Sequence, residues 1–141
     1  MARRVRIRGV LAALPSVPAA WLGALAVETS LAAVGLERTL AWIDRVPPRR
    51  VRRRPVPVST HVADTKRVVG IAYRLHVFRG LCLSRSLVEY LVHRRTGTPV
   101  RFVIGVRHTS GRNRIEGHAW VEARDARRTE PFEELLVATA G

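Results

Sequence analysis

Apolar residues run from Val10 to Val27 and continue past Glu28 at Leu31, Val34, Leu36, Leu40, Trp42 and Ile43. Pro15 and Pro18 interrupt the stretch and no cleavage site follows it, so a buried and in part interfacial pair of helices fits better than a signal peptide or membrane anchor. Residues 45–57 then hold four prolines and six arginines, which forbid a helix and favour an extended, solvated spacer. Ser59 or Thr60 is suited to cap a helix running to about Arg79, with Val62, Val69, Ala72, Leu75 and Val77 as its apolar positions. A further helix opens after Gly80-Leu81, because Leu83, Leu87, Tyr90 and Leu91 share one face, and it ends near Thr96-Gly97.

The period changes from there on. Residues 100–106 alternate and are β-branched, residues 108–114 hold the turn formers Ser110, Gly111 and Asn113, and residues 115–123 read as a second strand. A short third strand is expected at 127–130 and a C-terminal helix from Phe132. Helices first and a small antiparallel sheet last make an α+β fold. The chain divides into an N-terminal helical region with its Arg/Pro-rich linker, 1–58, and a core, 59–141, within one body overall.

Charge narrows the picture only a little. The 141 residues carry a formal charge of +14, and Lys66 is the one lysine among 25 basic residues. Such basicity suits nucleic acid, an anionic membrane or an acidic partner alike. The excess lies mainly in the first 60 residues, where eleven arginines face Glu28, Glu37 and Asp44. The single cysteine excludes an internal disulfide and a cysteine-rich zinc site, and fits a reducing cytoplasm. His61, His76, His93 and His108 form no i, i+4 pair and have no cysteine neighbour, so no metal site is expected.

That cysteine, Cys82, stands at the start of its helix, and His118 follows in the strand Gly117-His118-Ala119-Trp120-Val121-Glu122. A thiol of pKa about 8.5 is mostly protonated at neutral pH, and a helix N-terminus together with an imidazolium favours its thiolate. The order therefore suggests a cysteine nucleophile with a histidine base, against the plain alternative of a small buried cysteine.

Cys82-Leu83-Ser84-Arg85-Ser86, the strand Val103-Ile104-Gly105-Val106 and His118-Ala119-Trp120-Val121-Glu122 resemble the lasso-peptide leader peptidases, the stand-alone peptidase form of the lasso B protein. The resemblance covers about residues 60–131, and the arginine-rich, apolar N-terminal helices are similar too. It implies a transglutaminase-like, papain-like core in which the Cys82 helix packs on the sheet, with Cys82 as nucleophile and His118 as base. It implies removal of the leader from a ribosomally made precursor, so that the precursor peptide is the substrate. It also implies two partners, a small leader-recognition protein and an ATP-using, asparagine-synthetase-like lasso cyclase. The chain has no phosphate-binding glycine loop, so no cofactor is expected on it and ATP would belong to the cyclase. Nucleic acid is not expected as a partner, whereas peripheral membrane contact is compatible with the apolar N-terminal helices.

The family usually supplies its third catalytic member as an aspartate, often followed by proline, and the matching position here is Glu130-Pro131. Asp125 is the competitor. A three-residue loop centred on Arg124 would pair His118 with Glu130, with Cβ atoms about 5 Å apart. Asp125 would then lie about 23 Å from His118 along the strand, and Glu122 about 13 Å, with a surface or structural role. Trp120, on the histidine's face, is read as a groove wall or a core residue, Arg85 as a partner for an acid or a brace for its helix, and Ser84 as support for the first turn. Two rivals stand beside the peptidase: another transglutaminase-like amide hydrolase or transferase, and a basic non-enzymatic nucleic-acid-binding module.

Overall fold

Helix α1 (Val17–Arg45) begins on Pro18 and turns Val17, Ala20, Ala24 and Val27 into the core. Gly35, at φ 80°, breaks it in two, a conformation open to glycine and costly for other residues. Thr39 closes the break by donating to the Gly35 carbonyl at 2.7 Å and meeting the Ser30 hydroxyl at 2.9 Å. The expected pair of helices is therefore present as two arms of one element. Its length and composition would suit a membrane crossing, but one face of it is core. In this computed structural model the described residues are 16–49, 57–75, 82–109, 114–126 and 132–140.

Helix α2 (Val58–Arg74) starts ahead of the expected caps: neither Ser59 nor Thr60 caps it, and the Pro57 carbonyl accepts the first amides, from Thr60 at 3.0 Å and His61 at 3.2 Å. Proline's fixed φ sets up that first turn without a side-chain cap. The helix ends at Arg74, short of Arg79, and residues 76–81 lie outside the described set.

Helix α3 (Cys82–Thr96) is the central helix. Leu87, Val88, Tyr90 and Leu91 are all buried, because α1, α2 and the sheet each take one side of it. Contact with α1 is close at Gly23, where an added Cβ would lie 3.6 Å from Leu91. Tyr90 donates to Asp44 at 2.8 Å, which ties α3 to the end of α1. Gly97, at φ 63°, terminates α3, and the Thr98 amide reaches back to the His93 carbonyl at 3.0 Å.

The sheet comprises β1 (Val100–Thr109), β2 (Arg114–Ala123) and β3 (Glu133–Ala140), all antiparallel, in the order β2-β1-β3. Period two divides its faces. Val100, Phe102, Ala119 and Val121 face the helices, joined by Ile104, Leu136 and Ala138. Arg101, Val103, Gly105, His118, Trp120 and Glu122 take the other face.

Two expectations are corrected here. The C-terminal segment is a strand, not a helix from Phe132: Leu136 and Ala138 pack inward on β1 while Leu135 and Val137 stay exposed, so burial along a free strand edge outweighs the helix propensity of Glu133-Glu134-Leu135-Leu136. The strand after β2 also does not return beside it. The chain turns at 124–125 with the Ala126 amide on the Ala123 carbonyl at 2.9 Å, in place of the three-residue loop expected around Arg124, and Glu130, which that loop would have set opposite His118, lies outside the described residues. The expected strand at 127–130 lies outside the described residues.

Candidate active site

Cys82 is the first residue of α3 and is exposed, so its first-turn amides adjoin an accessible thiol. The turn below it is pinned to the sheet. Ser86 is buried and donates to the Ala119 carbonyl at 2.9 Å, and Cys82 stands about 6 Å further toward the helix N-terminus, one turn on. That bond ties the cysteine's helix to β2 at the residue next to His118. The structure does not bring Cys82 and His118 together: no hydrogen bond joins them, and strand alternation turns His118 to the sheet face away from α3, opposite to its neighbour Ala119.

The other face of α3 meets α2. Arg85 lies over the Tyr73 ring, 5.5 Å from its centre, which braces the first turn against α2, and its charge also acts on Glu89 one turn on. Ser84 is buried and hydrogen-bonds Tyr73. Burial pushes the Tyr73 hydroxyl up to about 12, with Ser84 opposing the rise and Glu28, whose carboxylate accepts from Tyr73 at 3.3 Å, adding to it. Further along, burial pushes the Glu89 carboxyl up to about 7, against the pull of Lys66 and Arg85.

On the sheet, the His118 ring meets two aromatic rings. The Trp120 ring lies 5.9 Å away at 20°, close to parallel, and the Phe132 ring lies 5.8 Å away at 38°. Trp120 is buried and also meets Phe132, at 5.9 Å, so the three rings form one cluster. Arg107 lies over the Phe132 ring, 5.0 Å from its centre, and is held by Glu116 at 2.8 Å.

Glu122 is not a surface residue. It is buried and accepts the Trp120 indole N–H at 3.0 Å and the Arg101 Nε–H at 2.6 Å. Arg101 also donates to Glu134 on β3 at 2.9 Å, so one guanidinium links the three strands. Burial works against its charge, yet Glu122 and Glu134 outweigh that and hold it above the ordinary arginine value.

Of the acids proposed for the histidine, Asp125 is exposed in the turn after β2, and Glu130 lies outside the described residues. Among the described residues no carboxylate hydrogen-bonds the His118 ring. Phe132, Gly105, Arg101 and Glu134 escaped the sequence reading. Gly105 carried a signal, since a glycine inside the β-branched run 103–106 marks a close approach. Phe132 and Glu134 carried none, because the segment resembled a helix.

A family model described as the Transglutaminase-like superfamily matches residues 24–136. No curated protein and no solved structure matches the chain. Proteins of that fold are typically cysteine-based hydrolases or transferases, cysteine peptidases among them. With its helices, its three-stranded antiparallel sheet and a match over most of its length, this chain belongs to the transglutaminase-like superfamily.

Proposed function

We propose that this chain is a cysteine peptidase that removes the leader from a ribosomally made lasso-peptide precursor before a separate cyclase closes the ring. One observation carries the reading: the helix that begins at the accessible Cys82 is pinned through Ser86 to the carbonyl next to His118, inside the stretch that matches a cysteine-enzyme superfamily. The lasso-specific part rests on the resemblance of residues 82–86, 103–106 and 118–122 to the leader peptidases.

Cys82 Sγ attacks the scissile carbonyl, and amides at the start of α3, its own included, hold the oxyanion. His118 protonates the leaving amine of the core peptide. Water, activated by the same imidazole, then opens the thioester and releases the leader acid, with Glu130 orienting the ring as its family-like acid-proline position suggests. A small recognition protein presents the leader, the synthetase-like cyclase consumes the freed core, and the work is cytoplasmic.

The test is purified protein with precursor and recognition protein. Wild type should yield leader and core whose masses sum to the precursor plus one water, while Cys82→Ala stays folded and inactive and iodoacetamide blocks the wild type. Undiminished cleavage by Cys82→Ala would sink the assignment, and a product carrying an added amine would make the chain a transferase.

A further inference from the structure

We propose that Glu122 is a positioning residue for His118, acting through Trp120; the proposal rests on the peptidase reading above. A carboxylate that is only 8% exposed is costly unless charged and polar partners meet it. Each Glu122 oxygen has its own donor: Oε1 takes the Arg101 Nε–H at 2.6 Å and Oε2 takes the Trp120 indole N–H at 3.0 Å. Arg101 is the cross-strand partner of Glu122 and is held from the far side by Glu134. The carboxylate therefore cannot swing without breaking a three-strand link, and the indole is held at its N–H edge.

The opposite edge of the indole is fixed by a missing side chain. A Cβ on Gly105 would stand 2.8 Å from Trp120 Cη2 and 3.0 Å from Cζ3. Gly105 is also the register partner of His118, so the vacancy that admits the indole lies directly across from the histidine. The latched ring then presents its face to the imidazole, 5.9 Å away and near parallel, and Phe132 bounds the imidazole at 5.8 Å. The second torsion of histidine is broad, so an imidazole without walls samples a wide arc, whereas one against a fixed indole does not. Misplacing a reacting group by about 1 Å can cost about a hundredfold in rate.

A salt bridge that merely stabilised the sheet would make different predictions, and steady-state kinetics separates the two. Glu122→Ala should lower kcat about 10- to 100-fold with KM changed less than about twofold. Glu122→Gln, whose amide oxygen can still accept the indole N–H, should keep kcat within about threefold. Should Glu122→Ala not fold, Trp120→Phe carries the test: it keeps a ring but has no N–H for Glu122, and should lower kcat about tenfold at unchanged KM. Unchanged kcat in a folded Glu122→Ala or Trp120→Phe, or equal losses in Glu122→Ala and Glu122→Gln, would overturn the positioning role.

NMR of histidine-labelled protein reads the geometry without any cleavage. The His118 ring resonances, assigned with His118→Gln, should shift in Glu122→Ala and stay in place in Glu122→Gln. Wild type that does not cleave, while its His118 resonances respond in this way, would overturn the peptidase reading and support the link from Glu122 to His118. His118 resonances indifferent to Glu122→Ala in cleaving protein would overturn the link alone.

Discussion

Replacing Glu89 by glutamine should remove a pH dependence from the protein's folding stability. Burial in α3 raises this carboxyl from 4.5 to about 7, although Lys66 and Arg85 pull it down. Between those two values the folded protein holds a proton that the unfolded chain has lost, so folding stability falls as pH rises. The contribution is fully present below about pH 4.5 and is lost as pH climbs through about 7. At 1.36 kcal/mol per pKa unit the loss amounts to about 3 kcal/mol, a large share of the about 5–15 kcal/mol that holds a domain folded. Glutamine matches the protonated acid in shape and does not titrate. Urea denaturation of wild type and Glu89→Gln at matched pH values from 4 to 9 isolates the effect, because other titrating groups cancel in the difference. The two proteins should be nearly equal at pH 4, with the variant more stable by about 3 kcal/mol at pH 8. A difference that is flat with pH, or a variant that is the less stable one at pH 8, would refute a protonated, buried Glu89.

Gly105→Ala should cost about 1–3 kcal/mol in urea denaturation and change tryptophan fluorescence, because its Cβ would meet both the Trp120 ring at 2.8 Å and the Glu133 carbonyl at 3.0 Å; an unperturbed variant would mean that the indole does not occupy that space. Glu130→Gln should lower kcat for leader cleavage by orders of magnitude with little change in stability, and Asp125→Asn should be mild. The reverse result would reassign the orienting acid.

The sequence made the helices and the first hairpin legible because each carries its own local signal. The α3 face at Leu83, Leu87, Tyr90 and Leu91, the glycine at its end and the alternation over 100–106 are all short-range patterns, and the elements appear where those patterns lie. The C-terminal strand was not legible. Glu133-Glu134-Leu135-Leu136 favours a helix locally, and only the open edge of β1, a partner some thirty residues earlier in the chain, makes it a strand. Glu122 was legible only in part, its surface and structural roles both left open, for a related reason. Alternation identified its face, but its burial depends on Arg101 from β1 and Glu134 from β3, neither of them near it in sequence.

The strand order bears directly on the histidine's third partner. Among the described residues β2 has one strand neighbour, β1, so no described strand lays a carboxylate beside His118 on its other edge. Asp125 belongs to the far end of β2, since Ala123 alone is about 17 Å from His118 at the usual rise per residue. Among the described residues, the carboxylates that share the histidine's face are each committed to an arginine: Glu116 to Arg107, and Glu122 and Glu134 to Arg101. Phe132, whose ring rests against His118, is the described residue closest in sequence to Glu130, and two residues of chain span at most about 7 Å. We therefore keep Glu130 as the proposed orienting acid, because it is two residues from Phe132 in the chain, whereas Asp125 lies beyond the far end of β2.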